Sequence, residues 1–164
     1  MVFSGRKGHI RGFTAIEVIF IILVIGILAI TVTPNWTATS MGLQFEALRV
    51  LQDIRYTQAL SVTSGQRYRW VKTSSTTYQV LNEAGTAILL PSGVTTLTLS
   101  GDVILGTLTN LPNNLIAFDS QGTPYTTNSY PGTALVTTAS IPLVSGSQIQ
   151  TIQISPETGY GVLS

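Results

Sequence analysis

Cysteine is absent from the 164 residues, so the chain offers neither a disulfide nor a thiolate for metal or nucleophilic chemistry. Histidine is nearly absent: His9 is the one imidazole, and it lies in a basic opening segment ahead of a long apolar run. Charge is scarce as well, at 9% of residues, and no Lys or Arg follows Lys72. From Thr73 onward the only charged side chains are Glu83, Asp102, Asp119 and Glu157, so solubility rests on Thr and Ser hydroxyls. That composition suits an extracellular or subunit-packed surface better than a cytosolic one, and a basic, polyanion-seeking protein is not indicated. The carboxylates are scattered singly. Glu83 and Asp102 adjoin turn glycines, Asp119 precedes a Ser-Gln-Gly turn, and no phosphate-cradling or zinc motif appears. These residues read as surface turns, and the chain as a non-enzyme without cofactor or metal.

What is present begins with Arg11-Gly12-Phe13-Thr14-Ala15-Ile16-Glu17 and the apolar run it opens, which continues to Thr33. The run 13–33 holds twenty-one residues, and Glu17 is the only charged one. At about 1.5 Å of rise per residue it makes a helix roughly 30 Å long, the thickness of a bilayer's hydrocarbon core. A carboxylate four residues into such a helix costs several kcal/mol in lipid and asks for a partner, which makes Glu17 the residue to explain. Residues 1–12 are polar and basic, with Arg6, Lys7 and Arg11. This is not an ordinary secretory signal peptide, because the apolar region lies beyond Gly12 instead of ahead of a cleavage site. The positive charges hold that end in the cytoplasm and send the rest across. The residues alone are also compatible with an uncleaved single-span anchor of the same orientation.

The pattern Gly12-Phe13-x-x-x-Glu17, behind a basic leader and at the head of a hydrophobic helix, resembles the class III signal of type IV pilins and of the pseudopilins of type II secretion. The resemblance implies that a membrane-embedded prepilin peptidase cuts between Gly12 and Phe13 and methylates the new amino group. It implies that Glu17 pairs with the Phe13 amine of a neighbouring subunit. An ammonium facing a carboxylate in low dielectric is strongly attracted to it, which compensates the desolvation of both. Cleavage would remove His9 and three cations, leaving five basic residues (Arg49, Arg55, Arg67, Arg69 and Lys72) against seven acidic ones, a net charge of −2. The implied setting is the bacterial inner membrane, with membrane lipid around residues 13–34 before assembly and the globular part outside the cytoplasm. The implied partners are other pilins or pseudopilins in a filament, the peptidase and an inner-membrane assembly platform.

Within residues 13–34, Gly26 and Pro34 interrupt the helix: glycine costs about 1 kcal/mol against alanine in a helix interior, and proline removes a donor and disfavours helical geometry before it. In related pilins a glycine and a proline at similar distances flank a segment that melts on assembly; the residues alone also allow a mild kink at the membrane exit near Asn35 and Trp36. A second helical period covers 39–64 inside a stem segment 35–65. Met41, Phe45, Leu48, Leu51, Ile54, Ala59 and Val62 mark its expected core face, while Gln44, Arg49, Gln52, Asp53 and Gln58 mark the other. Arg49 and Asp53, four apart, are expected to pair at the surface, and Gly65 to end the helix in a left-handed conformation. The two segments together predict one long helix.

From residue 66 to 164 the period becomes two. Strands are expected at 67–72, 78–81, 87–90, 95–99, 103–105, 115–118, 134–137, 141–144 and 148–154, separated by turn signals such as Pro91-Ser92-Gly93 and Gln121-Gly122-Thr123-Pro124. The expected class is α+β: a long N-terminal helix, transmembrane in one half and amphipathic in the other, packed on an antiparallel two-sheet β domain.

Four local features narrow the resemblance to the GspH/FimT group of minor pilins and pseudopilins: Ile54-Arg55-Tyr56-Thr57-Gln58-Ala59, the early strand with Trp70, Phe118-Asp119-Ser120-Gln121-Gly122, and Ile152-Gln153-Ile154-Ser155-Pro156-Glu157-Thr158-Gly159. Some members of that group act in DNA uptake, which makes a DNA-binding minor pilin for natural transformation the alternative reading. Arg67, Arg69 and Lys72 interleave with Tyr68 and Trp70 and are the candidate DNA contacts, on the model of cations beside exposed aromatics that hold single strands. The duller reading puts Tyr68 and Trp70 in the core and leaves the arginines solvated. The arginine-rich motif that the group carries after the glycine matching Gly159 is replaced here by Tyr160-Gly161-Val162-Leu163-Ser164.

Overall fold

A computed structural model describes residues 14–31 and 38–164, which fall into two units, Met1–Trp36 and Thr37–Ser164. In the first unit Thr14 opens helix α1 (Ala15–Thr31). Its hydroxyl and carbonyl both accept from the Glu17 amide, at 3.4 and 3.0 Å, and the carbonyl also accepts from Val18 at 3.2 Å. A threonine that satisfies an orphan amide, with a glutamate three residues on, is the pattern of a helix N-cap, and the carboxylate is further favoured by the positive end of the helix dipole. The helix runs through Gly26 without a break there. Pro34, Gly12 and Phe13 lie outside the described residues, as does the expected junction of the two helices. Seventeen residues of α1 are described, and among the described residues no helix is long and apolar enough to cross a membrane. The expected span 13–33 extends beyond them at both ends.

The second unit begins with helix α2 (Ala38–Ser64). It ends where expected: the Gly65 amide donates to the Ser61 carbonyl at 3.1 Å, with Gly65 at φ +70°. Nine strands follow: β1 (Tyr68–Lys72), β2 (Thr77–Leu81), β3 (Thr96–Thr98), β4 (Ile104–Leu105), β5 (Leu115–Phe118), β6 (Pro124–Tyr125), β7 (Ala139–Ser145), β8 (Gln148–Ile154) and β9 (Gly161–Leu163). They form two antiparallel sheets, one in the order β3-β2-β1-β5-β6 and the other β4-β7-β8-β9. Helix α2 packs on both. Alternation sets the inward face: in β7, Ala139, Ile141, Leu143 and Ser145 are buried while Ser140, Pro142 and Val144 are half-buried. Leu43, Ala47, Val50, Leu51 and Ile54 of α2 meet Trp70, Tyr78, Val80, Ile116 and Phe118 of the first sheet and Leu105, Ile141, Leu143, Ile152 and Ile154 of the second in one core. Among the described residues every fully buried apolar side chain belongs to this unit, so it carries its own core and is expected to fold alone.

Several expectations are corrected. The stretch 87–90 makes a single bridge, Leu81 to Ala87, before the turn that Leu90 closes with Val94. The stretch 134–137 makes another, Tyr125 to Ala134, and buries only Leu135. Strands β6 and β9 were not foreseen: β6 has two residues, the first of them the Pro124 that closes a turn signal, and β9 contains Gly161. The largest correction concerns α2. Met41 (61% exposed), Phe45 (66%), Leu48 and Val62 of the expected core face point outward, whereas Asp53 of the expected polar face is buried with Glu46, Thr57 and Ser61. The helix has two apolar faces, and the sheets took one whose polar members they satisfy except Glu46 Oε2, which has no hydrogen-bond donor among the described residues. Tyr78 donates its hydroxyl to Asp53 Oδ2 at 2.6 Å, Ser61 Oγ accepts from the Tyr68 amide at 3.1 Å, and the Ser100 amide and hydroxyl donate to Glu46 Oε1. Arg49 therefore sits not with Asp53 but 3.5 Å from Glu46 Oε2.

Candidate functional site

Three places carry the residues singled out in the sequence. The first is α1. From Thr14 to Gly26 every side chain is exposed, apart from a half-buried Val24, and all but Thr14 and Glu17 are apolar or glycine. A helix that is apolar all round is stable only where lipid or other protein covers it. Glu17 is the one charge on that surface, held in the first turn by the capped helix end.

The second place is a junction at Gln58 on α2. Its side-chain amide donates to the Gly122 carbonyl at 2.9 Å and the Thr158 carbonyl at 2.7 Å. The three stretches quoted above from around Gln58, Gly122 and Gly159 thus meet at one point, although about 100 residues separate the first from the last. Gly159 is at φ +65°, and a Cβ there would lie 2.8 Å from each of Gln58 Nε2, the Gly122 carbonyl oxygen and a Phe118 ring carbon. Only glycine allows this approach. Beside it Arg55 donates to the Gly161 carbonyl at 2.7 Å and to the Tyr160 hydroxyl at 3.1 Å, with its guanidinium 4.8 Å from the Tyr160 ring. The junction fastens the helix to the end of the chain.

The third place is β1. Trp70 is fully buried and packs on Tyr78 with ring centroids 5.3 Å apart, as the duller reading expects, but Tyr68, expected in the core with it, is only half-buried. The arginines are not solvated, however: Arg67 is 6% and Arg69 7% exposed. Chain 124–135 folds back over them, closed by the Thr126 amide on the Thr133 carbonyl at 2.8 Å and the Leu135 amide on the Pro124 carbonyl at 2.9 Å. Arg67 donates to the carbonyls of Ser129 (2.8 Å) and Pro131 (3.3 Å), with its guanidinium 4.2 Å from the Tyr125 ring and 5.6 Å from that of Tyr130. Arg69 donates to the Asn82 carbonyl at 3.1 Å and to Asn128 Oδ1. At the far end of the strand Lys72 Nζ donates to the carbonyls of Leu105 (3.0 Å) and Gly106 (2.6 Å), joining the two sheets. Burial pulls the Arg69 and Lys72 values below their ordinary range. The three candidate DNA contacts are thus bonded to backbone carbonyls, and Arg67 and Arg69 are brought together under one loop while Lys72 is not.

Chemistry of other kinds has few materials here. Glu83 and Asp119 lie in turns, and Asp119 Oδ1 accepts from the amides of Gln121 and Thr123 at 2.9 Å each. Among the described residues no three metal-ligating side chains gather. Asp53 and Tyr78 form a buried pair in which burial pushes the carboxyl up, against the opposing effects of the Tyr78 bond and Arg49, and pushes the phenol up as well.

No protein-family model matches the chain, and no curated protein does. Among solved structures, the crystal structure of the type IV minor pilin FimU of Pseudomonas aeruginosa (strain PAO1) is similar, with a TM-score of 0.53 and 13% identity over 74% of this chain and 87% of that one. The fold is pilin-like. Helix α2 is the element that touches both sheets and the end of the chain. The sequence did not point to the loop over β1: nothing in the spacing of residues 124–135 announced that two arginines would lie beneath it.

Proposed function

We infer that the chain is a structural subunit of an extracytoplasmic filament, a minor pilin of a type IV pilus or a pseudopilin of a type II secretion pseudopilus. In this reading it enters the inner membrane through residues 13–33 with its N-terminus in the cytoplasm. A prepilin peptidase cuts it between Gly12 and Phe13 and methylates the Phe13 amine. It then leaves the lipid for a filament of other pilins, drawn out at an inner-membrane platform, with Glu17 paired to the Phe13 amine of a neighbour. Gly26 and Pro34 bound the stretch that gives way as the helices pack. The observation that carries the reading is α1: an exposed helix, apolar all round, with a single carboxylate in its first turn, on a chain whose other unit has a pilin-like fold. A lone carboxylate on such a surface is tolerated where it finds a cation in low dielectric, and an N-terminal amine placed four residues before a neighbour's glutamate supplies one.

The test is mass spectrometry of the chain recovered from filaments and membranes of cells with an active prepilin peptidase. A mass beginning at methylated Phe13, together with loss of the Glu17→Ala variant from filaments but not from membranes, is the expected result. A chain that keeps residues 1–12, or a Glu17→Ala variant present in filaments at the normal level, overturns it. DNA capture remains the alternative function, and it would have to release Arg67 and Arg69 from the carbonyls that hold them.

A further inference from the structure

Beside the clamped loop lies an open hollow of about 110 Å³ lined by Gly65, Arg67, Glu83, Asp119, Ser120 and Tyr130. We propose that this hollow binds one sugar ring of a neutral glycan, with Tyr130 as the platform and the Glu83 and Asp119 carboxylates and the Ser120 hydroxyl as hydrogen-bond partners. Size gives the first argument. Pockets for nucleotides and drug-sized ligands occupy roughly 300 Å³ or more, so this one suits a single ring or a side-chain head group.

Chemistry gives the second argument. Tyr130 is 86% exposed, and an aromatic left that open in a folded domain offers a flat apolar face of the kind that the C–H face of a pyranose covers. Its position is fixed from behind: Arg67 lies 5.6 Å from the ring and donates to the carbonyls on either side of it, at Ser129 and Pro131. Gly132 makes room for that clamp, since a Cβ there would lie 2.6 Å from the Ser129 oxygen and 2.9 Å from Arg67 NH1. Asp119 is fixed as well, with Oδ1 taken by two backbone amides. A carboxylate held in place is a strong acceptor for ligand hydroxyls, and a rigid site loses little entropy on binding.

Charge gives the third. The Arg67 cation offsets one of the two carboxylates in the wall, and the chain from Ser120 to Pro156 contains no charged residue at all. There is no strong field to draw in a polyion, and a ligand with many hydroxyls and no charge suits the surroundings. The proposal stands apart from the filament reading: a sugar site serves a filament tip, an anchored domain or a secreted one equally.

The test uses the 15N-labelled unit Thr37–Ser164, titrated with methyl glycosides of neutral hexoses and N-acetylhexosamines and, in parallel, with n-butylammonium. The expected result is saturable shifts at the amides of Gly65, Glu83, Ser120 and Tyr130 with one or more glycosides, with a millimolar midpoint that added salt does not move. Tyr130→Ala should weaken binding by about tenfold or more, and Glu83→Gln by less; both residues are exposed, so both variants should keep the dispersed spectrum of the folded domain. Replacement of the exposed Tyr160 by alanine should leave binding unchanged. Absence of saturable shifts with every glycoside overturns the proposal. So does equal binding by Tyr130→Ala, and so does a salt-sensitive response to n-butylammonium alone, which would assign the hollow to a cationic side chain.

Discussion

Replacing Arg67 with methionine separates two meanings of the same side chain. If Arg67 is a solvated cation kept for a polyanion, the variant folds as well as the parent and loses only its ligand. If it is the pin of the loop over β1, stability falls. The structure sets the size of the loss. Arg67 makes two hydrogen bonds to carbonyls, at 2.8 and 3.3 Å, each from a charged donor, and lies against two aromatic rings at 4.2 and 5.6 Å. Hydrogen bonds from charged groups contribute about 1.5–3 kcal/mol and cation–π contacts about 0.5–1 each. Relief of the buried cation's desolvation takes back a part of the total, so a net loss of roughly 2–3 kcal/mol is expected. That is a large share of the about 5–15 kcal/mol typical of a domain, without being enough to unfold it. Urea unfolding of Thr37–Ser164 measures the loss, and amide exchange at Asn128 and Gly132 should show the loop opening before the core. Arg67→Lys, which keeps the charge but not the fork, should recover less than half of the loss. An Arg67→Met domain within about 0.5 kcal/mol of the parent, the scatter expected of surface substitutions, would refute the clamp.

Other consequences follow from the same contacts. Burial raises the Asp53 carboxyl above its ordinary value, so the folded chain holds that proton more tightly than the unfolded one; the associated stability is complete below the unfolded value and is lost as pH rises through the folded one. Asp53→Asn keeps an acceptor for Tyr78 and should be more stable than the parent by about 1 kcal/mol at neutral pH, with the gain vanishing toward about pH 3; a constant difference across that range would count against a buried charge as the cause. Gly159→Ala forces a side chain into a left-handed backbone and against the Gly122 carbonyl, and should cost about 2–4 kcal/mol in urea unfolding; a loss below 1 would show that the junction yields. Phe45→Ser, on the outer face of α2, should leave the isolated unit's stability within about 0.5 kcal/mol of the parent while lowering its recovery in filaments; normal recovery would mean that this face stays uncovered in the assembly.

Much of the fold was legible because its signals are local. The end of α2 at Gly65 and strands β5 and β8 follow from period and turn chemistry within a few residues. What was not legible depended on distant partners. Pro124-Tyr125 and Gly161–Leu163 are strands only because β5 and β8 offer them edges. The stretches 87–90 and 134–137 are short apolar runs that read as strands but find only one bridge each. The candidate site divides the same way. Glu17 stands out from sequence alone, since one charge in an apolar run needs no fold to be conspicuous. Arg67 and Arg69 looked like free cations because the groups that engage them are distant in sequence: the Asn82 carbonyl 13 residues on, and Asn128, Ser129 and Pro131 about 60 residues on in a loop with no charge to mark it.

Helix α2 is where sequence and structure part most informatively. Period alone selected Met41, Phe45, Leu48 and Val62 for the core, and a helix judged only by hydrophobicity would bury that face. The domain instead buries a face that carries Glu46, Asp53, Thr57 and Ser61, at a cost in desolvation that Tyr78, Ser100 and the Tyr68 amide offset by donating to it. Thr57 and Ser61 satisfy their own protons on the carbonyls one turn back. Polar groups on the inner face fix one seating of the helix on its sheets, because a rotated helix would leave two carboxylates without donors. The apolar residues left outside, Met41, Phe45, Leu48 and Val62, have no cover within the unit, and under the filament reading proposed above neighbouring helices would supply it.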